Sequence, residues 1–291
     1  MAAREVEQVL AETLRTEFAP RYARRHIPMV QGAVSPWAKR YIQKRITRDG
    51  VADYVTSADM PWADASMQEI PKQIYTVGSK FGYDWFEMQQ AAKAGVPLDP
   101  EKALASREAA EDALEIIMIS GDGSMPTSGL IPYGLINDPS VPTSSALGGA
   151  WSGLSADQII AAVRAGVVVY RANSRRRHTA DVMLLPEDQL AIIEITRIPD
   201  TGITIKQFLL ANVAGLADID VLPELAGAGA GGSDRMMFFE RNPLVVRGVV
   251  PFAFGFVAPE THQMRYVNHG VMRIAGVEFR RPFGALYVDG L

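Results

Sequence analysis

The pattern of apolar and polar positions opens with an amphipathic helix. Helical spacing places a set of apolar residues on one face of residues 4–18: Val6, Val9, Leu10, Leu14 and Phe18. Pro20 ends this helix, and a basic, extended stretch without clear periodicity follows over residues 21–28. A helix with one apolar face and a basic strap predict an arm that lies on a protein surface.

Between residues 39 and 86 the pattern becomes typical of β structure. Asp49-Gly50 predicts a tight turn between YIQKRIT and VADYVT, and the polar run of residues 56–70 carries Pro61 and Trp62 at its tip. The segment KQIYTVGSKFGY is predicted to return as a strand. Because a lone hairpin is only marginally stable in water, this long hairpin is expected to need a neighbour that covers it.

Helix signals dominate the next part of the chain. Residues 83–94 form a helical pattern that stops at Gly95, and Asp99-Pro100 starts a longer helix that runs to about residue 120. Capping boxes at Ser155 and Thr204 start two more helices. Short strand patterns take over towards the C-terminus. Helices early and strands late, without regular βαβ alternation, predict an α+β fold.

Composition and charge add two constraints. The 291 residues contain 48% hydrophobic residues and no cysteine, so a large core is available and thiolate chemistry is excluded. Residues 1–50 hold ten Lys or Arg against five Asp or Glu, although the whole chain has a net charge of −4. A basic arm on an acidic body suggests an acidic partner, either nucleic acid or another copy of the body, or else a solvated helix and linker.

Motifs for chemistry are weak in this sequence. Gly227–Gly232 satisfies G-x-G-x-x-G but is neither preceded by a clear strand nor followed by a helix, so a flexible loop is the better interpretation. The four histidines show no metal-binding spacing, and Arg175–Arg177 is best interpreted as a solvated helix C-terminus. We therefore predict no catalytic residues, no cofactor and no metal. The first ten residues lack an apolar signal-peptide core, and the longest apolar run is too short to cross a membrane.

The order of these parts resembles the major capsid protein of tailed bacteriophages, whose Hong Kong 97-like capsid fold is shared with encapsulin shells. DWFEMQQAAKAG and the 99–120 helix look like the short helix and spine helix of that family, and Gly134-Leu135-Ile136-Asn137 resembles its "GL-N" phrase. LSADQIIAAVRAG and DVMLLPEDQLAIIEI resemble pieces of its axial domain.

The resemblance implies a division of the chain into five parts. They are an N-terminal arm (1–48), an extended hairpin or E-loop (49–82), a peripheral domain with the spine helix (83–152), an axial domain (153–257) and return strands to the peripheral domain (258–291).

The resemblance also implies a self-assembling icosahedral shell of hexamers and pentamers around double-stranded DNA, with no active site. Portal and scaffolding proteins are expected partners, a decoration protein is an optional one, and DNA contacts are expected to be non-specific. No membrane contact is expected. The phage head is the expected location, after assembly in the host cytoplasm. No cleaved N-terminal segment is expected. No motif in the sequence assigns a crosslink between subunits through a lysine.

Two other functions stay open: an encapsulin-like compartment, and a nucleotide-dependent enzyme that uses the Gly227–Gly232 loop. For the shell, the expected subunit-interface residues lie on the arm and at the hairpin tip: Val6, Leu10, Leu14, Phe18, Arg21, Arg24, Arg25, Pro61 and Trp62. The arm is expected to lie against an adjacent subunit, where its arginines pair with acidic groups.

Overall fold

The structure is a computed structural model, and it describes residues 20–50, 63–94, 99–121, 133–146 and 148–291. Its helices are α1 (Ala23–His26), α2 (Trp85–Ala94), α3 (Asp99–Ile119), α4 (Ala156–Asn173), α5 (Glu187–Ile195) and α6 (Ile205–Asn212). Its strands are β1 (Met29–Gln31), β2 (Arg40–Gly50), β3 (Ala63–Gln73), β4 (Tyr75–Asp84), β5 (Thr143–Ser145), β6 (Val182–Leu185), β7 (Asp218–Val221), β8 (Arg235–Phe239), β9 (Val246–Val250), β10 (Phe252–Phe256), β11 (Glu260–His262), β12 (Arg265–Ile274), β13 (Gly276–Phe279) and β14 (Ala285–Asp289). This mixture of helices and sheets confirms the α+β prediction.

A five-stranded sheet in the order β5-β14-β8-β6-β7 separates two hydrophobic cores. Along β8, Met236 and Phe238 face the core formed with α4, α5 and α6, whereas Met237 and Phe239 face the core formed with α3. The same alternation runs along β6 and β14. Because both faces are covered, these strands are continuously apolar instead of alternating with polar residues.

The start of α6 is fixed by the predicted capping box. The Gln207 N–H donates to Thr204 Oγ1 (3.4 Å), and the Thr204 N–H donates to Gln207 Oε1 (3.3 Å). At α4 the Ser155 N–H donates to Gln158 Oε1 at 2.9 Å. Both helix starts were predicted from the S/T-x-x-Q pattern, because this reciprocal bonding is local in sequence.

The loop after α3 is closed by the G-L-x-N phrase. Leu135 and Ile136 donate their N–H groups to the carbonyls of Met118 and Ile119, and the Asn137 side chain bonds both the Gly134 N–H (2.7 Å) and the Ser120 carbonyl (2.6 Å). A Cβ at Gly134 would overlap the Ile119 carbonyl. The phrase therefore caps the last turn of the long helix, whose carbonyls otherwise lack partners.

The described part of the arm is docked on its own chain. Ala23 and Ile27 are buried in the core that contains α3, and β1 pairs in parallel with β9, with Met29 opposite Gly248. Residues 21–31 of the arm therefore have partners within their own chain. The apolar residues at positions 23 and 27 lie four apart, which places them on one face of α1 towards the core.

The hairpin begins and ends earlier in the chain than the predicted 49–82, because its strands are Arg40–Gly50 and Ala63–Gln73. Asp49 pairs with Asp64 and Gly50 pairs with Ala63, so the expected tight turn at Asp49-Gly50 is wrong, and the connection falls within residues 51–62. Those residues lie outside the described chain. A two-residue turn signal is local, whereas this pairing is set by the register of β2 along the eleven residues of β3.

The segment predicted to return as the second hairpin strand has another partner. β4 pairs antiparallel with β12 along its whole length, from Tyr75 opposite Ile274 to Asp84 opposite Arg265. With β10 and β11 these two strands form a four-stranded sheet. Within residues 258–291, β12 pairs with β4, whereas β14 pairs with β5 and β8 in the five-stranded sheet.

Candidate assembly surfaces

The glycine-rich loop is held by side chains of its own chain. The Gly227 N–H donates to Asp234 Oδ1 (3.0 Å), and the Ala230 N–H donates to Asp289 Oδ2 (3.0 Å). The loop is followed by β8, and a short 3-10 turn (Pro223–Leu225) precedes it. A dinucleotide site needs a strand, a glycine turn and a helix N-terminus with free N–H groups, so this loop lacks the required geometry.

A buried polar clamp fixes that loop to the sheet. Arg235 donates Nε–H to Asp289 Oδ1 (2.6 Å) and Nη2–H to Asp289 Oδ2 (2.9 Å), and its guanidinium carbon lies 4.5 Å from the Tyr287 ring centroid. The Tyr287 hydroxyl donates to the Leu135 carbonyl at 2.5 Å. Burial raises the pKa of Tyr287 well above its usual range. The clamp joins β8, β14 and the loop after α3 into one rigid unit.

Within the described residues there is no group of three or more His, Asp or Glu side chains that could hold a metal ion. No helix in the same part of the chain combines the length and apolar character that a membrane span needs.

The three predicted interface arginines pair with carboxylates of their own chain. Arg24 makes a two-pronged contact with Glu111 on α3, with Nε–Oε2 and Nη2–Oε1 distances of 2.9 and 2.8 Å. Arg21 lies 3.5 Å from Asp112, and Arg25 Nε lies 2.8 Å from Asp220 Oδ2 on β7. These contacts anchor the arm to its own body. Pairing with an adjacent subunit stays a prediction, and it must compete with these contacts.

The other predicted interface residues fall outside the described chain. They are Val6, Leu10, Leu14 and Phe18 of the arm, and Pro61 and Trp62 of the hairpin tip. Their placement at a subunit contact stays a prediction.

A buried histidine lies at the arm contact. His26 is fully buried, its ring stacks on Tyr22 with 6.3 Å between centroids, and its Nε2 lies 3.3 Å from Asp220 Oδ2. Burial lowers the pKa of His26, and the nearby Asp220 carboxylate only partly opposes this. On the opposite side of α1, Glu115 accepts the N–H groups of Tyr22 (2.6 Å) and Ala23 (2.9 Å).

One face of the β2–β3 hairpin carries open apolar side chains. Ile46 lies opposite Met67, and Ile42, which is opposite Pro71, lies on the same face four residues earlier in β2. Ile42, Ile46 and Met67 are 56%, 55% and 57% exposed, and the Lys44–Glu69 ion pair lies between them. We call Ile42, Ile46 and Met67 the ribbon face. It was missed from the sequence, although the four-residue spacing of Ile42 and Ile46 within one strand places both on one face.

A second open apolar group lies at the end of β4 and beside Phe81 within it, whose ring meets the Phe256 ring at 5.4 Å. Trp85 donates its N–H to the Met264 carbonyl at 3.0 Å, its ring meets Phe86 edge to face at 5.1 Å, and the side chains of Phe86, Phe256 and Met264 are exposed. We call Trp85, Phe86, Phe256 and Met264 the peripheral cluster. Large exposed apolar groups of this kind mark contact sites between proteins.

Comparison with protein families identifies the kind of protein that carries these surfaces. The family model described as "Major capsid protein" matches residues 50–291, which is well over half of the chain. The chain belongs to the major capsid protein family. It is therefore a shell-forming capsid protein and a component of a virion, and its open apolar surfaces belong to a protein that assembles with copies of itself.

Solved structures show the same fold. The capsid of Myoviridae phage XM1 is similar with a TM-score of 0.79 and 16% identity, over 98% of this chain and 97% of that one. The capsid of a native GTA particle is similar with a TM-score of 0.64 and 13% identity, over 98% and 95%. No curated protein sequence matches the chain. The predicted Hong Kong 97-like capsid fold is thereby confirmed.

A shell of the kind expected for the compartment alternative is also similar to this chain, but less so than the capsids above. A virus-like particle from Pyrococcus furiosus is similar with a TM-score of 0.54 and 12% identity, over 91% of each chain. The family match favours the phage capsid over this alternative and over a nucleotide-dependent enzyme.

Proposed function

We propose that many copies of this capsid protein close into the icosahedral head of a tailed phage, as hexamers and pentamers, around double-stranded DNA. The observation that carries the proposal is the ribbon face. It lies on a two-stranded hairpin, and such a hairpin is marginal in water without a covering surface. A neighbouring copy supplies that cover in the proposed shell.

The surface that covers the ribbon face is the peripheral cluster of an adjacent copy. Both surfaces are apolar, and each is exposed on the single chain. Ile42, Ile46 and Met67 are already about half buried, so full burial of each adds about 1 kcal/mol. One contact of this kind is weak, and many of them around a closed shell give a stable particle.

The division of the chain follows the same proposal. The proposed segments are the arm (1–48), the E-loop (49–82) and the peripheral (83–152), axial (153–257) and return (258–291) segments. Within them the hairpin of β2 and β3 is the described part that reaches neighbours, whereas residues 21–31 and β4 pack on the body of their own chain. The pairing of β4 with β12 supports a peripheral unit, and α4–α6 packed on β6–β8 support an axial unit.

In a phage head the capsid protein meets other partners besides copies of itself. We propose a portal and a scaffolding protein, an optional decoration protein, non-specific contacts to the packaged DNA, and assembly in the host cytoplasm. The protein acts through its surfaces, without catalysis.

The ribbon face can be tested by removing its apolar character while keeping its β propensity. Ile42→Thr with Ile46→Thr should reduce the yield of closed particles about tenfold in electron micrographs, because two buried contacts per subunit are lost. Val168→Thr is the matched control, since Val168 is 57% exposed on α4, away from the ribbon. Normal shells from the double variant would overturn the proposed contact.

The contents of the shell can be tested separately. Particles made during phage growth are expected to show icosahedral symmetry and to contain double-stranded DNA protected from nuclease. Shells that enclose only a protein cargo would favour the compartment instead.

A further inference from the structure

Five exposed arginines lie on two loops at one end of the five-stranded sheet. Arg175, Arg176 and Arg177 follow α4, whereas Arg280 and Arg281 follow β13. None of the five has a carboxylate partner in the part of the chain that the structure describes. We call these five residues the basic edge.

The register of the strands brings the two loops together. Val182 at the start of β6 and Ala285 at the start of β14 both pair with Phe239, the last residue of β8. The loop before β6 and the loop before β14 therefore reach the same end of the sheet. There the Tyr170 hydroxyl of α4 donates to the Gly284 carbonyl at 3.2 Å. This bond ties the helix that carries the first three arginines to the loop that carries the other two.

The carboxylates beside the basic edge are already bound to other groups. Glu240 Oε2 lies 2.7 Å from His178 Nδ1, and Glu240 Oε1 accepts the Asn242 side-chain amide at 3.1 Å. Asp181 accepts the backbone N–H of Arg241 at 2.7 Å. These groups do not compensate the five positive charges, although the whole chain has a net charge of −4.

The backbone holds two of the arginines in a conformation that arginine seldom adopts. Arg175 and Arg176 have φ angles of 50° and 59°, in the left-handed region that favours glycine and asparagine. Their N–H groups bond the carbonyls of Ala172 (3.0 Å) and Arg171 (2.8 Å), so the turn closes the end of α4. A helix end, as predicted from the sequence, does not by itself explain arginine at both positions. Unfavourable backbone conformations of this kind cluster at functional sites.

A phosphate backbone fits the basic edge better than a protein segment does. Phe283 is the only exposed apolar side chain within residues 175–179 and 280–284, all of which the structure describes, so little apolar area is available for a protein contact. Exposed ion pairs alone add little to such a contact. On DNA, by contrast, each neutralised phosphate releases condensed counterions, and arginine binds phosphate oxygens in a two-pronged manner.

We propose that the basic edge binds the phosphate backbone of the packaged double-stranded DNA, without regard to its sequence. The inference rests on the proposed function, and it assigns the DNA contacts proposed there to one place in the fold. A shell of subunits with net negative charge repels DNA on average, so contact with the genome needs a local positive surface of this kind.

Binding of a random-sequence duplex of about 30 base pairs to the purified full chain tests the inference. Between about 50 and 200 mM salt, log K should fall against log salt with a slope of about −4 to −5 if all five arginines contact phosphates. Arg175→Asn, Arg176→Asn and Arg177→Gln together should make this slope less steep by about 3, and Arg280→Gln with Arg281→Gln by about 2. Asparagine is compatible with the left-handed backbone, and an unchanged Tm shows that the fold is kept.

The matched control is Arg164→Gln, Arg197→Gln and Arg265→Gln together, because these changes remove the same charge from three exposed arginines outside the basic edge. An equal change of slope in this control overturns the inference, as does a lack of duplex binding by the natural protein. Tighter binding of polyglutamate than of the duplex would identify an acidic protein segment as the partner, and this also overturns the inference.

Filled particles test whether the basic edge faces the genome. Phe283, which is 58% exposed and lies two residues after Arg281, is replaced by p-benzoylphenylalanine, and particles from phage growth are irradiated. Subunits linked to DNA are expected, and links to protein only would overturn the inference. Particles of the natural protein that contain no DNA would instead count against the proposed function, whereas the duplex measurement on the unassembled chain decides whether the edge binds DNA at all.

Discussion

Gly134 lies against the carbonyl of Ile119 with no space for a side chain. The contact lets Leu135 and Ile136 bond the last turn of α3, which is how the G-L-x-N phrase ends the long helix. The sequence resemblance that first indicated a capsid protein thus has a steric cause.

Gly134→Ala is expected to destabilise the protein by about 1–3 kcal/mol, because the added methyl group forces the chain away from the Ile119 carbonyl. Chemical denaturation of the variant measures this loss. Gly202→Ala is the control, since a Cβ at Gly202 meets nothing within 4 Å. Equal stability of the two variants would contradict the steric role.

Loss of the Arg24 side chain is expected to loosen the arm. Arg24→Met leaves the buried Glu111 carboxylate without its two-pronged partner, at a cost of about 1–3 kcal/mol to arm docking. Faster hydrogen exchange at residues 22–27 reports this change. Arg24→Met combined with Glu111→Gln should recover most of the protection, since no buried charge then remains unpaired.

The exposed Lys44–Glu69 pair provides the comparison for Arg24. Lys44→Met should change stability by less than about 1 kcal/mol, because solvent screens such pairs. If Arg24→Met has no larger effect than Lys44→Met, Glu111 does not anchor the arm.

Arm docking is expected to weaken below about pH 6.5, the ordinary pKa of histidine. Burial lowers the pKa of His26 in the folded protein, so its neutral form contributes stability above the unfolded pKa. This contribution is lost as the pH falls towards the folded pKa, by at most about 1.4 kcal/mol per pH unit. Arg25, Arg241, Asp218 and Asp220 are the charged groups that act on the ring.

Hydrogen exchange at residues 22–27 between pH 7.5 and 5 measures the effect. Burial raises the pKa of Glu115, whose protonation acts in the opposite direction as the pH falls. The difference between the natural protein and His26→Phe isolates the histidine, because phenylalanine keeps the stacking on Tyr22. The same pH response in both proteins would rule out His26.

Trp62 at the predicted hairpin tip is expected to anchor a subunit contact. Trp62→Ala should impair shell formation and leave the subunit fold unchanged by circular dichroism, since buried aromatics dominate protein interfaces. Shells with natural yield and thermal stability would contradict this role.

Local signals were the predictable part of this fold. The capping boxes at Ser155 and Thr204 and the Asp99-Pro100 start located three helices, because each signal acts within a few residues. The open apolar group at Trp85 and the ribbon face at Ile42 were not recognised, since exposure depends on which distant strand covers a residue.

Long-range pairing was the part that could not be predicted. Tyr75 pairs with Ile274, which lies far from it in the sequence. No local pattern of residues identifies that partner. The Asp49-Gly50 signal failed for the same reason, because the register of β2 on β3 overrides a two-residue preference.

The position of β14 sets an order of events during synthesis. This strand lies between β5 and β8 and completes the wall between the two cores, yet it follows every other strand of that sheet in the chain. Until residue 289 has emerged, Met237 and Phe238 on β8 pair with β6 on one side but lack β14 on the other. A nascent chain from which β14 has not yet emerged therefore lacks part of this wall and is not competent to join a particle.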